Sequence, residues 1–388
     1  MSTSFENYRR NSDSISVAST LVNNPDASIA DSGELSLAHL ADFKLRYETL
    51  KRNGTETSST IVLSEIEDLP EKLEAGRTNA RWKATGKNVW IEWREYKTDV
   101  TEDGLLNPKP EILKLIQEMA LLLKAEKPDE FGIPPCLGYV DTRGPTQAKG
   151  LLGFVFTNPL DIKADERPVS ILDAIVDSEM PKPSLTARFA LAHKIATCLM
   201  YLHSVNWLHK GIRSENIISF NHDGGYNIDK PCLTGFEYSR PARPGQGTVA
   251  VPRNPRWDIY QYPDIQTDGK RPLHRKTFDI YSFGLVLLEI AHWKPIEKIM
   301  SIEQIATVDL GTTRAVRERL LRTEPTILDV TTCAIVGDRF CEVVRTCIGG
   351  RESFGIDRRD DELSEQTAVL IQHHFQQDVV EKLKSLVV

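Results

Sequence analysis

No two cysteines in this chain stand at a redox or zinc spacing. The six, Cys136, Cys198, Cys232, Cys333, Cys341 and Cys347, are scattered, with no C-x-x-C pair and no Cys/His cluster. That excludes a sequence-evident zinc module, and the cysteines read as small buried or surface thiols of a reducing compartment. A basic surplus is also missing: 48 Lys and Arg face 55 Asp and Glu, a net charge of -7, which speaks against a nucleic-acid partner. There is no long apolar run either. The longest, at 283–291, is interrupted by Glu289 and is too short to span a bilayer. The serine-rich start of the chain has no apolar stretch of the secretory kind. These absences lead us to expect a cytoplasmic protein with no membrane span.

What remains is the composition of an ordinary globular protein: 388 residues, 40% hydrophobic and 27% charged. A chain of that length can build its core without a disulfide or a metal. Residues 1–32 are rich in Ser, Asn and Asp and are expected to be disordered. Over 33–56, Leu37, Leu40, Phe43, Tyr47 and Leu50 recur at helical spacing before Asn53-Gly54, which predicts one amphipathic helix. Residues 60–160 read as β-rich with one helix. Strands are expected at 88–96 and 150–156, and a helix at 111–125. From 161 to 388 the chain turns helical, with nearly all-round apolar helices at 185–203 and 278–291 that must be buried. Asp223-Gly224-Gly225 is a hairpin signal. A small β-rich part followed by a larger helical part predicts an α+β architecture in two lobes.

Four strings follow in order. YLHSVNWLHKGIRSENII (201–218) ends an apolar helix and enters a polar loop. LTGFE (233–237), YQYPD (260–264) and DIYSFGLVLLE (279–289) come next, and VWIEW (89–93) stands in the β-rich part. Together they resemble the protein kinase core, in which a helix leads to H-R-D-L-x-x-x-N and then to D-F-G and A-P-E. They also resemble the kinase-like domains of fungal proteins linked to HeLo-type prion-inhibition and cell-death modules. The resemblance implies a bilobal kinase-like fold over roughly 60–385. It puts His209 and Asn216 at the loop histidine and asparagine, Phe236 at the D-F-G phenylalanine and Asp264 at the A-P-E acid. It puts Asp279 where an aspartate accepts from the catalytic-loop backbone.

The same matching shows what is lost. Phosphoryl transfer needs a strand lysine, a loop base, metal carboxylates and a glycine-rich loop over the phosphates. Glu92 stands at the strand lysine, Gly211 at the base and Gly235 at the metal aspartate, and no G-x-G-x-x-G precedes Val89. An acid in place of the lysine repels a triphosphate by about 1–4 kcal/mol for each charge pair near 4 Å. Trp90, two residues away on the same strand face, is expected to fill the adenine space. Arg94, Arg213 and Asn216 are weak candidates for nucleotide contact. Glu111 and Glu118 are both open as the helix glutamate.

The resemblance therefore implies a catalytically inactive kinase-like domain, a pseudokinase, acting as a regulatory or interaction module with protein partners, in fungal defence or cell-death signalling. No cofactor or metal is expected. ATP and magnesium belong only to the alternative reading, an atypical active kinase. A third reading is a nucleotide-free structural domain of a larger assembly.

Overall fold

The computed structural model of the protein describes residues 45, 48, 49 and 59–387, except 97, 101–105, 109, 143–149, 159–167, 223–224, 243–252, 270, 323–325 and 358. The disorder expected over 1–32 lies outside the described residues, as does most of the helix expected over 33–56. Leu45, Glu48 and Thr49 of that helix are described and helical, and the Thr49 hydroxyl donates to Leu45 O at 2.8 Å. The chain divides into two compact units, residues 1–58 with 125–129, and residues 59–124 with 130–388. The second unit is mixed α+β.

Its larger sheet contains β1 (Thr60–Ile61), β2 (Ile66–Glu67), β3 (Gly76–Trp82) and β4 (Asn88–Glu95). A short backbone ladder, β5 (Thr98–Val100) with β6 (Leu106–Pro108), follows β4. Helix α1 (Pro110–Lys124) then leads back to β7 (Cys136–Asp141) and β8 (Leu151–Thr157). The six-stranded order is β1-β7-β8-β4-β3-β2. Strand β4 is central, antiparallel to β3 on one side and β8 on the other. Side chains alternate across a strand, and β4 uses both faces. Val89, Ile91 and Trp93 enter an apolar cluster with Ile61, Ile66, Ala80, Val140, Leu151 and Val155. Trp90, Glu92 and Arg94 point the other way and are also buried.

The helical part begins with β9 (Pro168–Ser170) and α2 (Ile171–Val176). Ser170 caps α2: its hydroxyl accepts from Asp173 N, and the Asp173 carboxylate accepts from Ser170 N. Helix α3 (Leu185–Ser204) is capped by Ser184 and carries buried residues on nearly every side of its second half. Strands β11 (Ile217–His222) and β12 (Gly225–Leu233) pair antiparallel on either side of 223–224, the expected hairpin. Helix α4 (Lys276–His292) is buried along residues 276–291. The Arg188 guanidinium of α3 satisfies its last turn, donating to Ile290 O and Ala291 O. Helices α5 (Asp338–Gly349) and α6 (Glu365–Phe375) complete this part. The chain stays helical beyond α6, through a π-turn at Gln376–Val380 and on to Glu381–Lys384.

One carboxyl inside α4 makes stability depend on pH. Glu289 is fully buried; its Oε1 accepts from the Tyr260 hydroxyl at 2.7 Å and from Ile296 N at 2.9 Å. Burial pushes its carboxyl up from 4.5 to about 8. Between those values the folded chain holds a proton that the unfolded chain has lost, so stability falls as pH rises and levels off above about 8. The urea midpoint is expected to drop between about pH 5 and about pH 8. Glu289→Gln keeps the acceptor and removes the proton, and should flatten that drop. An unchanged slope in the variant would assign it to another group.

Candidate functional site

The inward face of β4 meets two chain segments. One is the loop from β10 (Trp207–Leu208) to the turn Ser214–Asn216; the other runs from Thr234 to Tyr238 after β12. Of the residues singled out by sequence, Glu92, Arg94, His209, Gly211, Arg213, Asn216, Gly235 and Phe236 come together here, with Asp279 beneath the loop. Asp264 does not join them; it is exposed in the turn Pro263–Ile265.

Glu92 is 4% exposed. Its Oε1 accepts from Arg77 Nη2 at 3.0 Å and Nε at 3.3 Å, and its Oε2 accepts from Gly235 N at 2.7 Å. Arg77 sits directly across from Glu92 in the β3–β4 ladder. Its Nη2 also reaches Thr234 Oγ1 at 2.7 Å. The acid is thus paired and bonded to the very residue that the resemblance gives to the metal aspartate. Two positions along the strand, Arg94 donates through Nη1 to Glu237 O and lies over the Tyr238 ring at 5.1 Å. Burial lowers its guanidinium. Trp90, 1% exposed, stacks on Phe156 with centroids 5.6 Å apart and tilts against Phe220 at 5.9 Å. A polar pocket lined by Asp68, Asn79, Arg81, Asn88, Trp90 and Pro168 includes none of Glu92, Gly211, Asn216 and Gly235.

The loop is held from below by Asp279. Its Oδ2 accepts from His209 N at 2.7 Å and faces His203 Nε2 at 3.2 Å. Its Oδ1 accepts from Lys210 N and faces His274 Nε2, both at 2.8 Å. Burial works to raise this carboxyl, but His274 and His203 outweigh it and hold the group well below the ordinary value. The His209 ring bridges the two segments, with Nε2 2.9 Å from Thr234 O and Nδ1 accepting from Gly211 N at 3.1 Å. Those partners require a neutral ring protonated on Nε2, and burial pushes its pKa down to about 4. Phe236 packs against it at 4.8 Å. Lys210 adopts φ +66°, and its buried ammonium is drawn well below the ordinary value, chiefly by desolvation and then by Arg240 and Arg94.

Asn216 is committed to structure: Nδ2 donates to Gly211 O at 2.8 Å, and its carbonyl accepts from Thr234 N and Oγ1. The two glycines differ. A Cβ on Gly211 would stand 3.3 Å from Arg213 Nη1, Asn216 Nδ2 and Gly235 O, a tight but negotiable fit. Gly235 has φ +80°, and its Cβ would fall 2.1 Å from Asn216 Nδ2 and 2.3 Å from Cγ. Arg213 is neutralised where it stands. Its Nε donates to Glu215 Oε2 at 2.8 Å, its Nη2 lies 3.7 Å from Glu237, and it stacks over Trp257 at 4.6 Å. Burial raises the Glu237 carboxyl, with Arg213 pulling it down and Glu92 pushing it up.

Arg77, Thr234, His203, His274 and Trp257 are contributors that sequence reasoning missed. The signal for Arg77 was the hairpin register, which places it opposite Glu92; the two histidines carried no pattern of their own. Among the described residues no group of three or more His, Cys, Asp or Glu side chains could hold a metal ion. No helix among them is long and apolar enough to cross a membrane.

Comparison with known proteins gives a family and a partial relative. Residues 158–388, more than half of the chain, match a family described as a domain of unknown function (DUF7580), and the chain belongs to that family. It is also 27% identical over 133 residues to a probable LIM domain-containing serine/threonine-protein kinase of Dictyostelium discoideum. That match covers 34% of this chain and 18% of the relative.

Proposed function

We propose that the chain is a kinase-like domain that does not transfer phosphate and serves as a regulatory or interaction module for protein partners. The fold part of this reading is supported by the strand order β2-β3-β4-β8-β7 with α1 between β4 and β7, by the four motif strings in sequence, and by the likeness to a probable protein kinase. The narrower likeness to fungal cell-death modules rests on the strings YLH…WL and VWIEW alone.

One observation carries the loss of chemistry. Glu92 stands at the position of the strand lysine, bonded to Arg77 and to Gly235 N. A nucleotide phosphate needs a free cation at that point; here the neighbouring cation is consumed by an acid, and the amide beyond it is consumed as well. Arg94, Arg213 and Asn216 each have protein partners that a nucleotide would have to displace. Nothing at Gly211 can accept a proton from an attacking hydroxyl.

The expected result is transfer no greater than background when the purified chain is incubated with labelled ATP, magnesium or manganese, and a generic protein substrate. Saturable ligand binding raises stability as RT ln(1 + [L]/Kd), so a thermal-shift titration with ATP and metal should stay flat. Metal-dependent stabilisation together with turnover abolished by Asn216→Ala would overturn the proposal.

A further inference from the structure

The geometry points to a thiol–disulfide exchange site at Cys333 and Cys341, read and written by a low-molecular-weight disulfide of the glutathione class. Sequence spacing marks neither residue, and the chain's other four cysteines are buried free thiols. These two are joined as a disulfide with Cα atoms 5.5 Å apart, eight residues apart in sequence.

The bridge ties the short helix Cys333–Val336 to the inner face of α5 across a break at Gly337. Its two ends are unlike. Cys341 is 1% exposed, whereas Cys333 is only half-buried. A reagent in solution therefore reaches Cys333 first, and reach decides which sulfur is attacked. Both redox states have a place in the fold. Cys341 Sγ lies 3.6 Å from Leu328 O, an acceptor in position for a thiol. The segment also keeps other tethers without the bridge: the Thr332 hydroxyl meets His292 Nε2 at 2.9 Å, Asp329 pairs with Arg345, and Leu328 and Val336 are buried. A bridge closing so short a loop restrains the unfolded chain less than a long one does. Its loss should loosen residues 326–337 locally and leave the rest folded.

The chemistry balances with glutathione disulfide as oxidant. The Cys333 thiolate attacks one glutathione sulfur, forming a mixed disulfide and expelling a glutathione thiolate. Cys341 then gives up its proton and attacks Cys333 Sγ, expelling the second glutathione. Two electrons pass from the protein dithiol to the small disulfide, and the reverse sequence reopens the bridge.

The full chain is equilibrated at a series of glutathione to glutathione disulfide ratios, quenched with acid, alkylated and mapped by mass. The expected result is a Cys333–Cys341 bridge whose population follows the ratio reversibly. Far-UV circular dichroism should not change, and amide exchange over 326–337 should rise several-fold on reduction. Cys341→Ser should capture one glutathione, on Cys333, and Cys333→Ser none. Because Cys341 is buried, Cys341→Ala serves as a second version, and the wild-type titration stands without either. The inference is overturned by a bridge absent at every ratio, by one that resists a reducing buffer without denaturant, or by exchange that rises across the whole chain.

Discussion

Asp279→Ala is expected to cost the fold about 3–5 kcal/mol, the range for removing one partner from a buried charged network. With typical domains stable by only about 5–15 kcal/mol, the urea midpoint should fall by a large fraction. Four donors converge on this carboxylate: His209 N, Lys210 N, and the rings of His203 and His274. Alanine leaves all four facing a void, and an unmet buried donor costs about 1–3 kcal/mol even when its neighbours relax. Asp279→Asn restores the volume but turns an amide NH2 towards donors, so it should recover only a minority of the loss. The variant also tests linkage. A carboxyl held well below 3.8 in the folded state adds stability that is present above that value and is lost progressively below it, as pH falls through the lower folded-state value. Asp279→Asn should therefore flatten the acid limb of the stability profile. A loss below about 1 kcal/mol in both variants would mean that the loop is held by its own backbone contacts and not by Asp279.

That network bears on the proposal because it fixes a loop in which Gly211 carries no side chain that could act as a base. His209, Phe236 and Asp279 are spent on packing and on hydrogen bonds between segments, while the positions that the proposed reading gives to phosphate handling carry Glu92, Gly211 and Gly235.

Much of this was legible from local patterns. Apolar residues on every side of a helix can only be buried, which located α3 and α4, and alternation along the strand 88–96 put Trp90, Glu92 and Arg94 on one face. The partners of those side chains were not legible, because they depend on register and on contacts distant in sequence. Arg77 is fifteen residues from Glu92, and only the turn between β3 and β4 sets them opposite. Cys333 and Cys341 read as two ordinary thiols, since a pair bridged across a helix break has no characteristic spacing; the fold brings them into a bond. The π-turn at Gln376–Val380 was not legible either, because one widened turn inside a continuous helix leaves no mark in composition. Sequence also treated Gly211 and Gly235 alike, as two absent side chains, whereas their surroundings in the fold differ sharply.

Gly235→Ala is expected to destabilise the chain by about 2–5 kcal/mol, whereas Gly211→Ala should cost about 1 kcal/mol or less. The difference is steric. At 235 the left-handed backbone disfavours any Cβ, by roughly 1–2 kcal/mol, and the new atom would occupy the space of the Asn216 amide. To make room, Asn216 must swing away and abandon Gly211 O, leaving a buried carbonyl unmet at a further cost of about 1–3 kcal/mol. At 211 the nearest atoms stand at 3.3 Å and need yield only slightly. A double-mutant cycle separates the two costs at 235. Adding Asn216→Ala to Gly235→Ala should remove the overlap but not the backbone strain, for a favourable coupling of about 1–2 kcal/mol. The same reasoning extends to placing carboxylates where the proposed reading expects a kinase to have them. Gly211→Asp places an acid beside Arg213 and should fold. Gly235→Asp places one against Asn216 and close to Glu92, which already accepts from the amide of residue 235, and should fold poorly. The reverted pair should still transfer no phosphate, because the strand position remains an acid paired to Arg77. Fluorescence-monitored urea melts and a labelled-ATP assay read the two claims separately. A stable Gly235→Asp chain would show that Asn216 has another home, and that the fold does not enforce glycine at 235.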